Sequence, residues 1–167
     1  LFAQVVEQGQ AHVVVVRGEA GIGKSRLLHE FEKWLESHEQ VVTAFRGRAT
    51  PEMVHVPYGI WRDLFRNRFD IFESDSAELA RQKFNAGMSG FLQAEQAQWV
   101  GALVGFDFAD SRVANVLGSP NFARTARAYL LAYLRGIARQ NPLVLFFEDI
   151  HWADEASLEL MAQLSEE

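Results

Sequence analysis

The chain has 167 residues, of which 49% are hydrophobic and 23% charged, with 12 glycines and 4 prolines. This composition excludes a disordered or low-complexity chain, and the length fits one domain with a sizeable core. The 16 basic and 22 acidic residues give a net charge of −6, which disfavours direct nucleic-acid binding by this segment.

The sequence contains no cysteine, which excludes disulfides, thiolate metal sites and cysteine nucleophiles. The longest apolar runs, residues 13–16 and 143–147, are far shorter than the roughly 20 residues that a membrane span needs. We therefore expect a soluble, cytoplasmic domain that has no membrane partner.

The N-terminal third of the chain predicts a βα unit. Apolar spacing in residues 1–8 predicts a short helix, and the absence of a capping residue before it suggests that the chain is cut there. Residues 12–17 include four consecutive valines, typical of a central strand that is covered on both faces. A glycine-rich turn follows, and residues 24–37 have the apolar spacing of an amphipathic helix.

The middle of the chain is mainly helical. Residues 41–45 predict a second short strand, and residues 46–57 predict a loop. Three helices are then expected, at residues 58–69, 76–92 and 95–103. Residues 105–120 lack a sustained period and predict a loop that packs Phe106 and Phe108 inward.

The last third predicts helix, strand and helix. Asn121 can cap a long amphipathic helix, which Asn141 and Pro142 end. Residues 143–147 predict an apolar strand, and Asp154 is the expected N-cap of a helix at residues 155–165. The order of elements predicts an α/β fold with a parallel sheet flanked by helices.

One segment has the chemistry of an anion-binding loop. Residues 18–25 have the pattern G-x-x-x-x-G-K-S between a predicted strand and a helix; they are Gly18, Glu19, Ala20, Gly21, Ile22, Gly23, Lys24 and Ser25. Backbone N–H groups of such a loop and the helix N-terminus can bind phosphates. Lys24 can contact the β- and γ-phosphates, and Ser25 can bind Mg²⁺. Arg26 belongs to the same candidate nucleotide-binding segment, although a solvent or sheet-edge position is its simpler interpretation.

An acid pair follows the second apolar strand. Glu148 and Asp149 stand where open α/β sheets bind ligands, at the C-terminal end of a strand. In the interpretation that we favour, Glu148 holds Mg²⁺ and Asp149 polarises the attacking water; the two roles could be reversed. Both acids are therefore candidate metal and catalytic residues. The pattern alone is also compatible with simple helix capping.

Two segments together resemble a known family. GEAGIGKSRLLHEF and LVLFFEDIHWADEASLELM resemble the Walker A and Walker B regions of the origin-recognition-like AAA ATPase domain of the STAND class. Such domains occur in bacterial adenylyl or guanylyl cyclases, LuxR-type transcription regulators and kinase or repeat fusions. The resemblance implies ATP and Mg²⁺ as cofactors, and phosphate contacts from Gly21, Gly23, Lys24 and Ser25.

The resemblance also suggests roles beyond these motifs. His151 is a candidate γ-phosphate sensor, although a packed or capping histidine is an alternative, and Trp152 fits core or hinge packing better than adenine stacking. The family has an adenine-receiving segment before this chain, and sensor strands and a helical lid after it. One of those strands lies between the first and Walker B strands. The resemblance therefore implies that residues 1–167 are a single P-loop NTPase core of the α/β class, truncated at both ends and with an incomplete sheet.

We expect a regulatory ATPase domain of a larger signalling or transcription-regulatory protein. Its expected partners are ATP or ADP and a cyclase, DNA-binding or repeat domain attached in the same chain. A homo-oligomer is a further possible partner arrangement. One alternative is a nucleotide-binding switch with negligible turnover, because no transition-state arginine is identifiable. A small-molecule phosphotransferase is the weaker alternative, since it would also need an acceptor pocket.

Overall fold

The computed structural model describes residues 2–9, 11–108 and 112–165. Its helices are α1 (Phe2–Gln8), α2 (Lys24–Glu36), α3 (Gly59–Arg68), α4 (Ala77–Met88), α5 (Ala94–Leu103), α6 (Phe122–Ala138) and α7 (Glu155–Ser165). Its strands are β1 (Thr43–Arg48) and β2 (Leu143–Glu148). Single 3-10 turns lie at Pro51–His55, Arg112–Asn115 and Ile150–Trp152.

The two strands form a parallel sheet with helices on both faces. Thr43 lies opposite Leu143, and Arg48 lies opposite Glu148. Side chains alternate between the two faces of a strand, so one face of β1 carries Phe45 and the other carries Arg46. The predicted α/β class with a parallel sheet flanked by helices is confirmed at this level.

The apolar face of the sheet packs against α3. Trp61 on α3 contacts Phe147 with ring centroids 4.9 Å apart, and Phe45 lies 6.5 Å from the Phe65 ring. Gly47 lies on the same face of β1 as Phe45. A Cβ added at Gly47 would be 2.6 Å from the Ile60 carbonyl oxygen of α3. A glycine inside the strand therefore allows α3 to approach the sheet closely.

A helical layer built from α3 to α6 contains most of the core. Its centre is a group of aromatic rings, namely Phe65, Phe69, Phe84, Phe91, Phe106, Phe108 and Tyr133. Phe106 and Phe108 are buried, as the sequence predicts, although their loop also contains a 3-10 turn. No helix of the described residues has the length and apolar character needed to cross a bilayer.

The predicted strand at residues 12–17 is wrong. Residues 11–19 have no regular secondary structure, and Val13 and Val14 are each 64% exposed. A strand that is apolar on both faces needs strand neighbours, and in the described part of the chain none pairs with these valines or with the second edge of β2. The start of α2 also lacks a covering neighbour, since the apolar side chain of Leu27 is 55% exposed.

The edge of β1 that faces away from β2 is closed by side chains. Asp63 accepts a hydrogen bond from the Arg48 N–H at 2.8 Å, and Asn67 donates to the Arg46 carbonyl oxygen at 3.1 Å. Both residues belong to α3. These contacts use the backbone groups that would otherwise be free to pair with another strand, so this edge of the sheet is protected.

The helix predictions are largely confirmed, with corrections at the termini. The helix expected at residues 76–92 ends at Met88, and Ser76 caps it through a hydrogen bond from the Leu79 N–H. Asn121 precedes α6, but its side chain does not cap the helix; it accepts a hydrogen bond from Arg124 instead.

Asp154 caps two helices at once. Its carboxylate accepts hydrogen bonds from the Ser157 N–H and hydroxyl, which caps α7 as predicted. The same carboxylate accepts hydrogen bonds from the N–H group of Tyr58 at 3.1 Å and from that of Gly59 at 3.3 Å, at the start of α3. Asp154 is buried, so these bonds join the segment after β2 to the helical layer.

We expect Asp154→Ala to lower the free energy of unfolding by about 2 to 4 kcal/mol, because it removes the cap of α7 and leaves the buried N–H groups of Tyr58 and Gly59, at the start of α3, without an acceptor. Urea unfolding measures the change. Ser76→Ala is the matched control, since it removes an exposed cap and should cost only about 1 kcal/mol. Equal losses in the two variants would contradict the double role of Asp154.

We expect Gly47→Ala to destabilise the protein by about 1 to 3 kcal/mol, because the added methyl group overlaps the α3 backbone. Gly90→Ala is the control, since a Cβ at Gly90 meets no atom within 4 Å. Thermal unfolding monitored by circular dichroism compares the two variants. A Gly47→Ala protein as stable as Gly90→Ala would show that α3 does not need this close approach.

Candidate functional site

The candidate phosphate loop, residues 18–25, leads directly into α2. Gly21 has φ = 81° and Gly23, the residue before α2, has φ = 101°. Both values lie in the left-handed region, which glycine adopts without a steric penalty. Every residue of the loop except the half-buried Lys24 is exposed. The loop is therefore an open turn at a helix N-terminus, where backbone N–H groups are available to an anion.

Lys24 folds back onto this loop. Its ammonium donates hydrogen bonds to the Gly18 carbonyl oxygen at 2.9 Å and to the Glu19 carbonyl oxygen at 2.8 Å. An ammonium group has three protons to donate, so phosphate oxygens could replace these acceptors or join them. The lysine thus holds a positive charge at the loop.

The acid pair, Glu148 and Asp149, lies where β2 ends. Glu148 is the last residue of the strand, and Asp149 has φ = 54°, a left-handed conformation that aspartate tolerates better than most residues. The carboxylate of Asp149 accepts a hydrogen bond from Arg48 Nε at 2.8 Å. This charged hydrogen bond to Asp149 raises the pKa of the Arg48 guanidinium above its ordinary value.

A second arginine of β1 faces the other acid. Arg46 Nε lies 3.6 Å from Glu148 Oε1, while Arg46 Nη2 donates to Glu32 Oε2 at 2.8 Å. The guanidinium also lies over the Phe146 ring, 5.5 Å from its centroid. Arg46 therefore connects α2, which carries Glu32, with the end of β2.

The two arginines differ in exposure. The side chains of Arg48 and Asp149 are 64% and 34% exposed, so water screens their attraction and the pair can separate at little cost. The side chains of Arg46 and Glu148 are 35% and 13% exposed, which places Glu148 in the more enclosed position. Together the two arginines balance the charge of the acid pair.

Among the described residues, α2 is the element that links the candidate phosphate loop to the acid pair. In the part of the chain that the structure describes, no hydrogen bond or ion pair joins residues 18–25 to Glu148 or Asp149. Glu32 lies seven residues after Ser25 on α2, about 10 Å along the helix axis. The loop therefore leads into the same helix whose Glu32 contacts Arg46, and Arg46 in turn faces Glu148.

The oxygen donors of these segments suit a hard divalent cation. Ser25 offers a hydroxyl, and Glu148 and Asp149 offer carboxylates, the ligand types that Mg²⁺ prefers. Among the described residues, no group of three or more acidic or histidine side chains could hold a metal ion by itself. A Mg²⁺ site built from one or two carboxylates, water and phosphate oxygens needs no such group, so the residues present fit the ion.

Three further residues of the sequence analysis lie at the surface. Arg26 is exposed on the first turn of α2. His151 is exposed, and its ring centroid lies 4.9 Å from that of Trp152. Trp152 is 38% exposed in the 3-10 turn after β2, so it does not belong to the core, and hinge packing stays a prediction.

Glu32, Arg46 and Arg48 are residues of this site that the sequence pattern does not predict. The pattern predicts a loop at residues 46–57, whereas β1 continues to Arg48. The alternation Phe45, Arg46, Gly47, Arg48 was the available signal, because it places both arginines on one face of a strand.

The sequence of the whole chain matches a known protein family. The AAA ATPase domain family matches residues 1–167. An uncharacterized protein of Rhizobium meliloti (strain 1021) is 26% identical over 160 residues, which are 93% of this chain and 15% of that protein. No solved structure matches the chain. The chain belongs to the AAA ATPase domain family, whose members are nucleotide-binding domains that generally use ATP and Mg²⁺.

Proposed function

We propose that this chain binds MgATP and hydrolyses it, and that the bound nucleotide regulates neighbouring domains of a larger signalling or transcription-regulatory protein. Family membership supports the nucleotide. The residues of the candidate phosphate loop and the acid pair support the particular site.

The observation that carries the proposal is the link between α2 and the end of β2. The helix that begins at Lys24 and Ser25 contacts Arg46 through Glu32, and Arg46 in turn faces Glu148. A nucleotide bound at the start of α2 and a metal ion held by Glu148 would therefore act on one connected group of side chains.

The residues have distinct roles in this proposal. Gly21, Gly23 and Lys24 contact the phosphates, and Arg26 flanks them. Ser25 and Glu148 hold the cation, and Asp149 orients and polarises the attacking water. Bound Mg²⁺ would supply neutralisation of the phosphate charge. His151 is a candidate for detecting the γ-phosphate from the turn that follows the acid pair.

Asp149 must leave Arg48 before it can act on water. The carboxylate oxygen of Asp149 that accepts the hydrogen bond from Arg48 is occupied, so the contact has to open before that oxygen can accept one from water. The exposure of the pair makes its separation inexpensive. In this proposal Arg48 occupies the Asp149 carboxylate until the site is assembled.

The regulatory role rests on the STAND resemblance and on the length of a relative. This chain spans 15% of the length of its relative from Rhizobium meliloti, so that protein has room for other domains. Cyclase, DNA-binding and repeat domains are the partners that the STAND resemblance suggests. A lid or a second subunit of a homo-oligomer would supply the charge that stabilises the transition state opposite the γ-phosphate.

A nucleotide-binding switch with negligible turnover is the second candidate. The contact between Arg48 and Asp149 favours it, because an acid that stays bound to arginine cannot polarise water. The two candidates predict the same nucleotide affinity and differ only in turnover.

We expect Lys24→Ala to weaken ATP binding by at least about 30-fold, because it removes about 2 kcal/mol of charge-assisted hydrogen bonding to phosphate. Titration of the full-length protein with a fluorescent ATP analogue measures the affinity. Lys33→Ala is the matched control, since Lys33 is an exposed lysine at the other end of α2. Equal affinities of the Lys24 and Lys33 variants would exclude this phosphate site.

We expect Asp149→Asn to lower ATP turnover by a factor of about 100 or more, while ATP affinity changes less than about threefold. Glu148→Gln should instead raise the Mg²⁺ concentration that binding requires. Phosphate release and ATP titration separate the two effects. Exchanged phenotypes would reverse the roles of the acids, and a wild-type protein that binds ATP without turnover would favour the switch.

A further inference from the structure

Arg46 is shared between two carboxylates that belong to different elements. Its Nη2 atom donates to Glu32 on α2 at 2.8 Å, whereas its Nε atom is 3.6 Å from Glu148 on β2. The first distance is that of a strong charge-assisted hydrogen bond, and the second is too long for a hydrogen bond. The guanidinium is therefore bound to Glu32 and only close to Glu148.

The Nε atom of Arg46 is buried and has no hydrogen-bond partner among the described residues. A buried N–H without an acceptor is unfavourable, so this atom would gain from a direct bond to Glu148. The guanidinium is planar and rigid, and it is held at one end by Glu32 and on one side by the Phe146 ring. These two contacts keep Nε from closing the remaining distance to Glu148.

We propose that Glu32 and Arg46 are positioning residues that keep the Glu148 carboxylate available for Mg²⁺, an inference that rests on the proposed function. Glu32 holds the guanidinium on the α2 side of the site. Without Glu32, Arg46 bonds directly to Glu148 and competes with the cation for the same oxygen. The start of α2 binds phosphate in the proposed function, so this contact makes the metal affinity depend on the position of the nucleotide-binding helix.

The test measures the Mg²⁺ concentration that gives half-maximal binding of a fluorescent ATP analogue to the full-length protein. We expect Glu32→Gln to raise this concentration about fivefold or more, because Mg²⁺ must displace one charge-assisted hydrogen bond from Glu148. Glu30→Gln removes the same charge from an exposed position of α2 and should leave the concentration unchanged. This control separates the effect of the contact from that of the net charge.

A double-mutant cycle tests whether the effect passes through Arg46. In the Arg46→Gln background, Glu32→Gln should cause no further change, because no guanidinium is left to bind Glu148. A general disturbance of α2 would persist in that background. Circular dichroism checks the fold of each variant, and Glu32→Asp, which keeps the charge but shortens the side chain, should shift the concentration in the same direction as Glu32→Gln.

The outcomes are distinct. A Glu32→Gln protein with the same Mg²⁺ requirement as Glu30→Gln overturns the inference, and so does a shift that persists in the Arg46→Gln background. Both results leave the proposed function intact when the wild type binds ATP in a Mg²⁺-dependent manner. A wild-type protein that shows no Mg²⁺-dependent ATP binding overturns the proposed function and the inference together.

Discussion

The parallel pairing of β1 with β2 is the constraint on which the rest of the structure depends. Because the register places Arg48 beside Glu148, the charged residues of both strands collect at one end of the sheet. The same pairing turns Phe45 and Gly47 toward α3, and Arg46 toward α2. A shift of one residue would place the arginines in the apolar layer and the phenylalanine against α2. Packing of the core and assembly of the charged site are thus two results of one register.

The two faces of the sheet have different energetics. The face against α3 is held by aromatic packing and by a backbone approach that only glycine allows at position 47. The face against α2 depends on a guanidinium shared by Glu32 and Glu148, and on the contact of Phe31 with Phe146. An apolar face resists change because each displaced group leaves a void. Charged contacts can exchange one oxygen acceptor for another, so the α2 face suits a site that must respond to a ligand.

The charged groups of both segments face polar or oppositely charged groups of the protein. Lys24 donates to carbonyl oxygens of its own loop, and the arginines of β1 accompany the acid pair. In the proposed site, phosphate oxygens would replace the loop carbonyls as partners of Lys24, and water would replace Arg48 at Asp149. Glu148 accepts no hydrogen bond from Arg46, so its carboxylate would be open to a cation. Asp154, just beyond this region, anchors the turn after β2 to the start of α3, so rearrangement of the acids need not disturb the helical layer.

The sequence by itself determined the helices, the apolar strand β2, the α/β class and the residues of the two motifs, because periodicity, caps and glycine spacing are local properties. It also predicted the cap at Asp154, but not its second set of bonds to α3, which join residues about 95 positions apart. The valines at 13–16 show the limit of local reasoning: their β propensity is high, yet a strand forms only beside another strand. Arg46, Arg48 and Glu32 were found only in the tertiary structure, since the register and the packing of α2 bring their charges to the acid pair.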